Sequence, residues 1–286
     1  MRSFELFRQY LERRYSAHTT AAYLSDLSDF KKWFEETNGE AFDPSAVTSI
    51  DVREYRRYLL NRKAKPATIN RRLAALSTFF RWAKAEGLAK ENPTGDVRGV
   101  QATRLAPRWL SRKEQLALLR AVHKRGKARD IAIITLLLHT GLRVSEACSL
   151  RLADLKLNKR KGELRVRGKG LKERVVPLNA EVRKALRDYL AVRPAVEHDF
   201  VFVGQRGEPL TPSGIQRLVK GYACRAGLED CTPHVLRHTF AKNLVDSGVP
   251  LDRVAALLGH ENLNTTRIYT APSLQDLMEA VERLVK

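Results

Sequence analysis

The sequence predicts a two-domain, mostly α-helical protein: an N-terminal four-helix bundle followed by a mixed α+β domain holding a small antiparallel sheet. Three observations lead there. Apolar residues recur at helical spacing through most of the first hundred residues. A run containing Pro93, Gly95, Gly99 and Pro107 then breaks the pattern. Beyond it helices resume, but the period shortens to that of strands in short runs between residues 163 and 204.

FELFRQYLERR opens the chain as a helix, and SAHTTAAYLSDLSDFKKWFEET sets Tyr23, Leu27, Phe30 and Phe34 on one face. In SIDVREYRRYLLNR, Asp51 is suited to cap the start, with Val52, Tyr55, Tyr58 and Leu59 on the apolar side. KPATINRRLAALSTFFRWAKAEG carries the stripe Ile69, Leu73, Leu76, Phe80 and Ala83 and stops at Gly87. Four such helices bury their stripes against one another, so a bundle is expected over residues 1–92. Residues 93–108, basic and irregular, are expected to be a linker.

The second domain is expected over residues 109–272. Ser111 and Glu114 form a capping box for SRKEQLALLRAVHK. ARDIAIITLLLHTG reads as a buried helix ending at Gly141, after which LRVSEACSLRLADL resumes helix. ELRVRG, KERVVPL and DFVFVG are β-rich, the first two joined by a Gly-Lys-Gly-Leu turn. TPSGIQRLVKGYACRAG and TPHVLRHTFAKNLVDSG each start with a Thr-Pro cap, and PLDRVAALLG and NTTRIYT follow. SLQDLMEAVERLVK, residues 273–286, is a last helix with the stripe Leu274, Leu277, Met278, Val281 and Leu284.

Lysine and arginine number 52 against 32 acidic residues, a formal charge of +20. An excess of that size calls for a polyanion, with nucleic acid foremost. It is shared by both parts, 19 basic against 13 acidic groups in residues 1–106 and 33 against 19 in residues 107–286. Arg71, Arg72 and Lys84 on the bundle, and Gln216, Arg217 and Lys220 in TPSGIQRLVKGYACRAG, are the candidate nucleic-acid contacts. The apolar runs are too short to span a bilayer, so no membrane partner is expected. Cys148, Cys224 and Cys231, spread along a chain with no apolar leader, fit reduced thiols of a cytoplasmic protein. Cys224, Cys231, His234 and His238 have zinc-ligand side chains, but the cysteines stand seven apart, too far for a zinc pair. No metal or cofactor is expected, and His238 is read as a packing or supporting histidine.

Several polar residues stand where a purely structural pattern would have something duller. Arg143 follows a glycine break beside an apolar run, where an arginine is costly unless paired. His234 and Arg237, three apart, share a helix face near its start, where unpaired N–H groups favour an anion. Lys169 sits between glycines at a hairpin tip, and GHENLNTTRIYTAP supplies His260 and Tyr269. Two arginines suit the nonbridging oxygens of one phosphodiester, histidines suit proton movement and a lysine suits a departing alkoxide. A tyrosine facing such a cluster becomes a plausible nucleophile. No pair of acidic residues suited to two metals accompanies the set.

HTGLRVSE, RGKG, HVLRHTFA, LLGH and TTRIYT, in this order, resemble the tyrosine recombinase (phage integrase) family, and in particular its small Xer-type chromosome and plasmid dimer resolvases. The resemblance covers nearly the whole chain and implies a core-binding bundle followed by a catalytic domain. It makes Arg143 and Arg237 the phosphate clamp, Lys169 the acid for the 5′-hydroxyl, His234 and His260 pocket histidines, and Tyr269 the nucleophile that forms a 3′-phosphotyrosine. It further implies strand exchange through a Holliday junction without ATP or metal, by a homo-tetramer on paired double-stranded DNA sites. Free protein is expected as monomer or dimer in a prokaryotic, nucleoid-associated setting. The tail helix is expected to dock on a neighbouring protomer, and an accessory or partner recombinase fits the same picture. No small domain is expected ahead of the bundle, and with it core-site recombination is expected rather than arm-site binding. Alternatives are a mobile-element integrase or resolvase, a type IB topoisomerase-like enzyme, and a DNA-binding protein that cuts nothing.

Overall fold

The computed structural model describes residues 2–101, 107–168, 173–259 and 264–269. The chain divides into two compact units, Met1–Arg104 and Leu105–Lys286.

The first unit holds four helices among its described residues: α1 (Arg2–Glu12), α2 (Ala17–Asn38), α3 (Ser49–Asn61) and α4 (Pro66–Ala85). Thr48, not Asp51, is the N-cap of α3; Asp51 completes the capping box from the third helical position. The stripes meet in an aromatic core. Phe30 packs edge-on against Tyr55 at 5.0 Å, and Phe79 against both Phe7 and Phe80 at 5.1 Å. The chain past α4 stays tied to this unit, because Asn70 donates to the Val100 carbonyl (2.9 Å) and accepts from the Val100 N–H (2.7 Å). Arg71 pairs with the buried Asp26, and Arg72 with Asp29 and the Tyr55 hydroxyl, so both arginines brace α4 against α2 and Arg72 also ties it to α3. Lys84 is exposed in the last turn of α4.

The second unit begins with α5 (Arg112–Arg125), capped by Ser111 and Glu114. Next come α6 (Ala128–Thr140), α7 (Val144–Ser149) and a short 3₁₀ turn at Leu152–Asp154. An antiparallel sheet follows in the order β1 (Leu155–Leu157), β2 (Gly162–Arg167), β3 (Glu173–Pro177), with Leu164 opposite both Leu155 and Val176. Helices α8 (Ala180–Leu190), α9 (Pro212–Arg225), α10 (Pro233–Asp246), α11 (Leu251–Leu258) and α12 (Asn264–Arg267) complete the described chain. DFVFVG departs from expectation. Phe200 and Val203 make only isolated bridges, to Arg151 and Pro209, and the sheet's third strand is LKL instead. Val201, Phe202 and Val203 are all buried, so this apolar run is explained by its place in the core. Helix α6 is the axis of that core, with Ile133, Ile134, Leu136 and Leu137 wholly enclosed. Among the described residues no helix is long and apolar enough to cross a membrane.

Candidate active site

Gly141 ends α6 in the left-handed conformation (φ +62°). A Cβ there would lie 2.4 Å from Phe240 Cδ1, so both backbone and space demand glycine. The turn sets Arg143 at the N-cap of α7, just ahead of the first turn that the sequence suggested. Its N–H donates to Glu146 Oε2 (2.7 Å) and its Nη1 to Oε1 (3.0 Å). The same carboxylate accepts two further bonds, both 2.9 Å, from the guanidinium of Arg174 on β3. Burial alone would raise the Glu146 carboxyl, but the hydrogen bonds from Arg174 and Arg143 and their charges hold it below the usual glutamate value. A fixed anion thus orients Arg143, whose own side chain remains about 45% exposed.

Arg237 is 3% exposed. Its Nη1 donates to the Gly141 carbonyl at 2.6 Å and its Nη2 to the Leu258 carbonyl at 2.7 Å. These carbonyls belong to the C-terminal ends of α6 and α11, where the helix dipole favours a cation. Burial, and then repulsion from Arg143, pushes the guanidinium down to about 10, still charged at neutral pH. His234 stands in the first turn of α10, beside the backbone donors of that helix start. Partial burial, with Arg237 and Arg143 nearby, lowers its pKa and so favours the neutral imidazole. Arg143, His234 and Arg237 line one cleft of about 1260 Å³ together with Gln216 and Lys220 of α9.

Tyr269 lies just beyond α12, buried in a small apolar cluster with Ala241, Val254 and Leu258. Its hydroxyl is 2.7 Å from Nδ1 of His238, whose ring meets that of His234 at 4.2 Å. Burial raises the phenol, and the charge of Arg237 only partly offsets this.

Of the residues singled out from sequence, Arg143, His234 and Arg237 share the cleft, and Tyr269 adjoins it through His238. Lys169 and His260 lie outside the described residues, as does the 273–286 segment. Gln216 and Lys220 face the cleft, whereas Arg217 is exposed on α9 without lining it. Sequence reasoning passed over Glu146 and Arg174. The first had a local signal, three positions after Arg143 as in a capping box; the second, in a strand of alternating charge, had none. The cleft offers two guanidiniums and a helix start to a phosphodiester, with a phenol held next to them.

The phage integrase family model matches residues 108–275, more than half of the chain, and the model of the phage integrase N-terminal SAM-like domain matches residues 4–87. The chain belongs to the phage integrase family. Tyrosine recombinase XerC of Thermodesulfovibrio yellowstonii is 36% identical over 285 residues, spanning 96% of this chain and 92% of that protein. Tyrosine recombinase XerC of Bacillus subtilis is 33% identical over the same proportions. Among solved structures, XerH site-specific recombinase bound to palindromic difH substrate, a post-cleavage complex, superposes with a TM-score of 0.79 at 25% identity, covering 96% of this chain and 82% of that one. By its family, then, this chain is a site-specific tyrosine recombinase, and its mostly helical architecture with a small antiparallel sheet is that of the family.

Proposed function

We propose that this family member cleaves and rejoins double-stranded DNA at paired sites through a 3′-phosphotyrosine and a Holliday junction, and that its role is Xer-type dimer resolution. The observation carrying this reading is the convergence of Arg143, His234 and Arg237 on one cleft, with the Tyr269 hydroxyl one histidine away. A net charge of +20 suits the polyanion, and the XerH structure above is of a site-specific recombinase bound to palindromic difH substrate.

In this reading Arg143 and Arg237 grip the nonbridging oxygens of the scissile phosphate, and Tyr269 attacks phosphorus. Lys169 protonates the departing 5′-oxygen, and His234 and His260 hydrogen-bond to the phosphoryl group. Exchanging one phosphodiester for another keeps the bond energy, so the partner strand's 5′-hydroxyl reverses the attack. Residues 1–92 and 109–272 grip DNA as core-binding and catalytic domains joined by the 93–108 linker, with Gln216, Arg217 and Lys220 meeting the duplex through α9. Arg71 and Arg72 reach phosphate only on the faces their ion pairs leave open, and Lys84 reaches it from its exposed place in the last turn of α4. The working assembly is a homo-tetramer in which residues 273–286 dock on a neighbour.

The test uses DNA fragments selected from the host genome for binding, placed as paired sites on a supercoiled plasmid. Recombinant products and a denaturation-resistant protein–DNA adduct are expected. Relaxation of plasmid lacking the sites, without recombinants, would instead identify a topoisomerase-like activity. Lys169→Ala is expected to slow cleavage of a normal 5′-oxygen substrate far more than of one with a 5′-bridging sulfur, which leaves without needing a proton; equal slowing would count against that role.

A further inference from the structure

Among the described residues the Tyr269 hydroxyl meets His238, a residue given no chemical part in the reading above. The Oη to Nδ1 distance is 2.7 Å, short for a hydrogen bond to nitrogen and within the reach required of a base before its basicity is considered. His238 follows Arg237 directly and lies one helical turn beyond His234. Its ring is edge-on to that of His234, with centroids 4.2 Å apart and planes at 68°, and tilted against the ring of Tyr269 at 5.4 Å. The two histidines thus have different surroundings. His234 is exposed at the start of α10 and lines the cleft, where a phosphate would sit, while His238 stands between it and the nucleophile.

The phenol needs a partner of this kind. Tyr269 is 1% exposed, walled by Ala241, Val254 and Leu258, so no bulk water stands ready to take its proton. That apolar wall disfavours the phenolate, and the charge of Arg237 does not fully compensate. Resting on the recombinase reading, we propose that His238 accepts the Tyr269 proton through Nδ1 during strand cleavage and returns it during rejoining. In cleavage the Oη–H bond breaks as the Oη–P bond forms, and the proton moves to Nδ1 to give an imidazolium. The P–O5′ bond breaks and its electron pair stays on O5′, which takes a proton from the enzyme's general acid, assigned above to Lys169. Rejoining runs each transfer backwards, so no oxidant, reductant or net proton source is consumed. His238 is on this account a catalytic residue, since it touches the reacting oxygen; the packing or supporting part expected from sequence understates it.

The experiment compares wild type, His238→Asn and His238→Ala in single-turnover adduct formation on a nicked DNA site that traps the covalent complex. Asparagine replaces the hydrogen bond at nearly the same place but takes no proton, so it separates holding from proton transfer. Both variants are expected to bind the site and to form adduct about 10²- to 10⁴-fold more slowly, and His238→Asn, which keeps the hydrogen bond, to melt as wild type does. Added imidazole is expected to speed His238→Ala, and across substituted imidazoles the rate is expected to rise with basicity. A His238→Asn rate within about threefold of wild type, far short of the roughly 10²- to 10⁴-fold of a general-base effect, would overturn the proposal, as would rescue indifferent to basicity. A wild-type protein that forms no adduct sinks the recombinase reading and this proposal together, a pattern unlike either of those.

Discussion

Arg237 Nη1 donates to the Gly141 carbonyl at 2.6 Å, so the guanidinium at the heart of the cleft also closes the C-terminal end of α6. With its second bond, to Leu258, Arg237 joins α10 to two other helices while serving the phosphate. Arg143 is built differently, about half exposed and held by Glu146, which retains Arg174 if Arg143 is lost. Arg143→Ala and Arg237→Ala are therefore expected to abolish cleavage alike but to differ in stability. Arg237→Ala should cost about 1–3 kcal/mol for each carbonyl left without a donor, and Arg143→Ala less than about 1 kcal/mol. Denaturant titration of both variants checks this, and equal midpoints would contradict the dual role of Arg237.

Gly141→Ala should behave like a structural lesion with a catalytic consequence. The left-handed backbone costs an L-residue about 1–2 kcal/mol, and the new Cβ would lie 2.4 Å from Phe240 and 2.9 Å from Leu258. Displacing that turn moves the carbonyl that holds Arg237 and the chain that delivers Arg143. A lowered melting temperature together with weakened adduct formation is expected; a variant as stable as wild type would show that the turn relaxes without strain.

Glu146→Gln tests the anion under the site. In the folded protein the Glu146 carboxyl lies below its unfolded value of about 4.3, so its ion pairs contribute fully above that value and are lost as pH falls through the lower, folded one. Wild type should therefore lose stability on acidification below about pH 4.3 more steeply than Glu146→Gln, which starts less stable at neutral pH. Thermal melts of the two proteins across this range give the answer, and parallel declines would remove Glu146 from the account.

Tyr269→Phe removes one hydroxyl from a packed ring. The ring keeps its contacts with Ala241, Val254 and Leu258, so folding and site binding are expected to persist while the denaturation-resistant adduct disappears. An adduct formed at wild-type yield would exclude Tyr269 as nucleophile.

Removing residues 273–286 is expected to reduce pairing of two sites more than binding of one, since the apolar stripe of that segment suits a neighbouring protomer. Gel-shift titrations of single-site and paired-site complexes decide between this and a tail that only stabilises its own domain, for which both complexes would weaken equally.

Much of the fold was legible because its signals are local. Stripes such as Ile69, Leu73, Leu76 and Phe80 mark a buried helix face whatever it packs against, and Ser111 with Glu114 marks a helix start within one turn. DFVFVG was misread for the same reason: an apolar run says buried, but pairing depends on a distant partner, and LKL occupied the sheet edge instead. Arg71 and Arg72 illustrate the limit from the other side. As basic residues on a helix they suit phosphate, yet Asp26 and Asp29, more than forty positions earlier, already engage them.

By itself the sequence determined the two-part helical plan, the basic character and the order of motifs that marks the family, because spacing, composition and caps act over a few residues. Only the tertiary structure decided what surrounds each reactive group. Arg237 became a buried cation by meeting helix ends at Gly141 and Leu258; Glu146 became the anchor of Arg143 by meeting Arg174; and His238 became the partner of Tyr269 across 31 positions of chain. Hydrogen bonds need their atoms within about 3 Å and exposed charges are screened beyond roughly 10 Å, and chain separation does not report distances on that scale until the helices have packed.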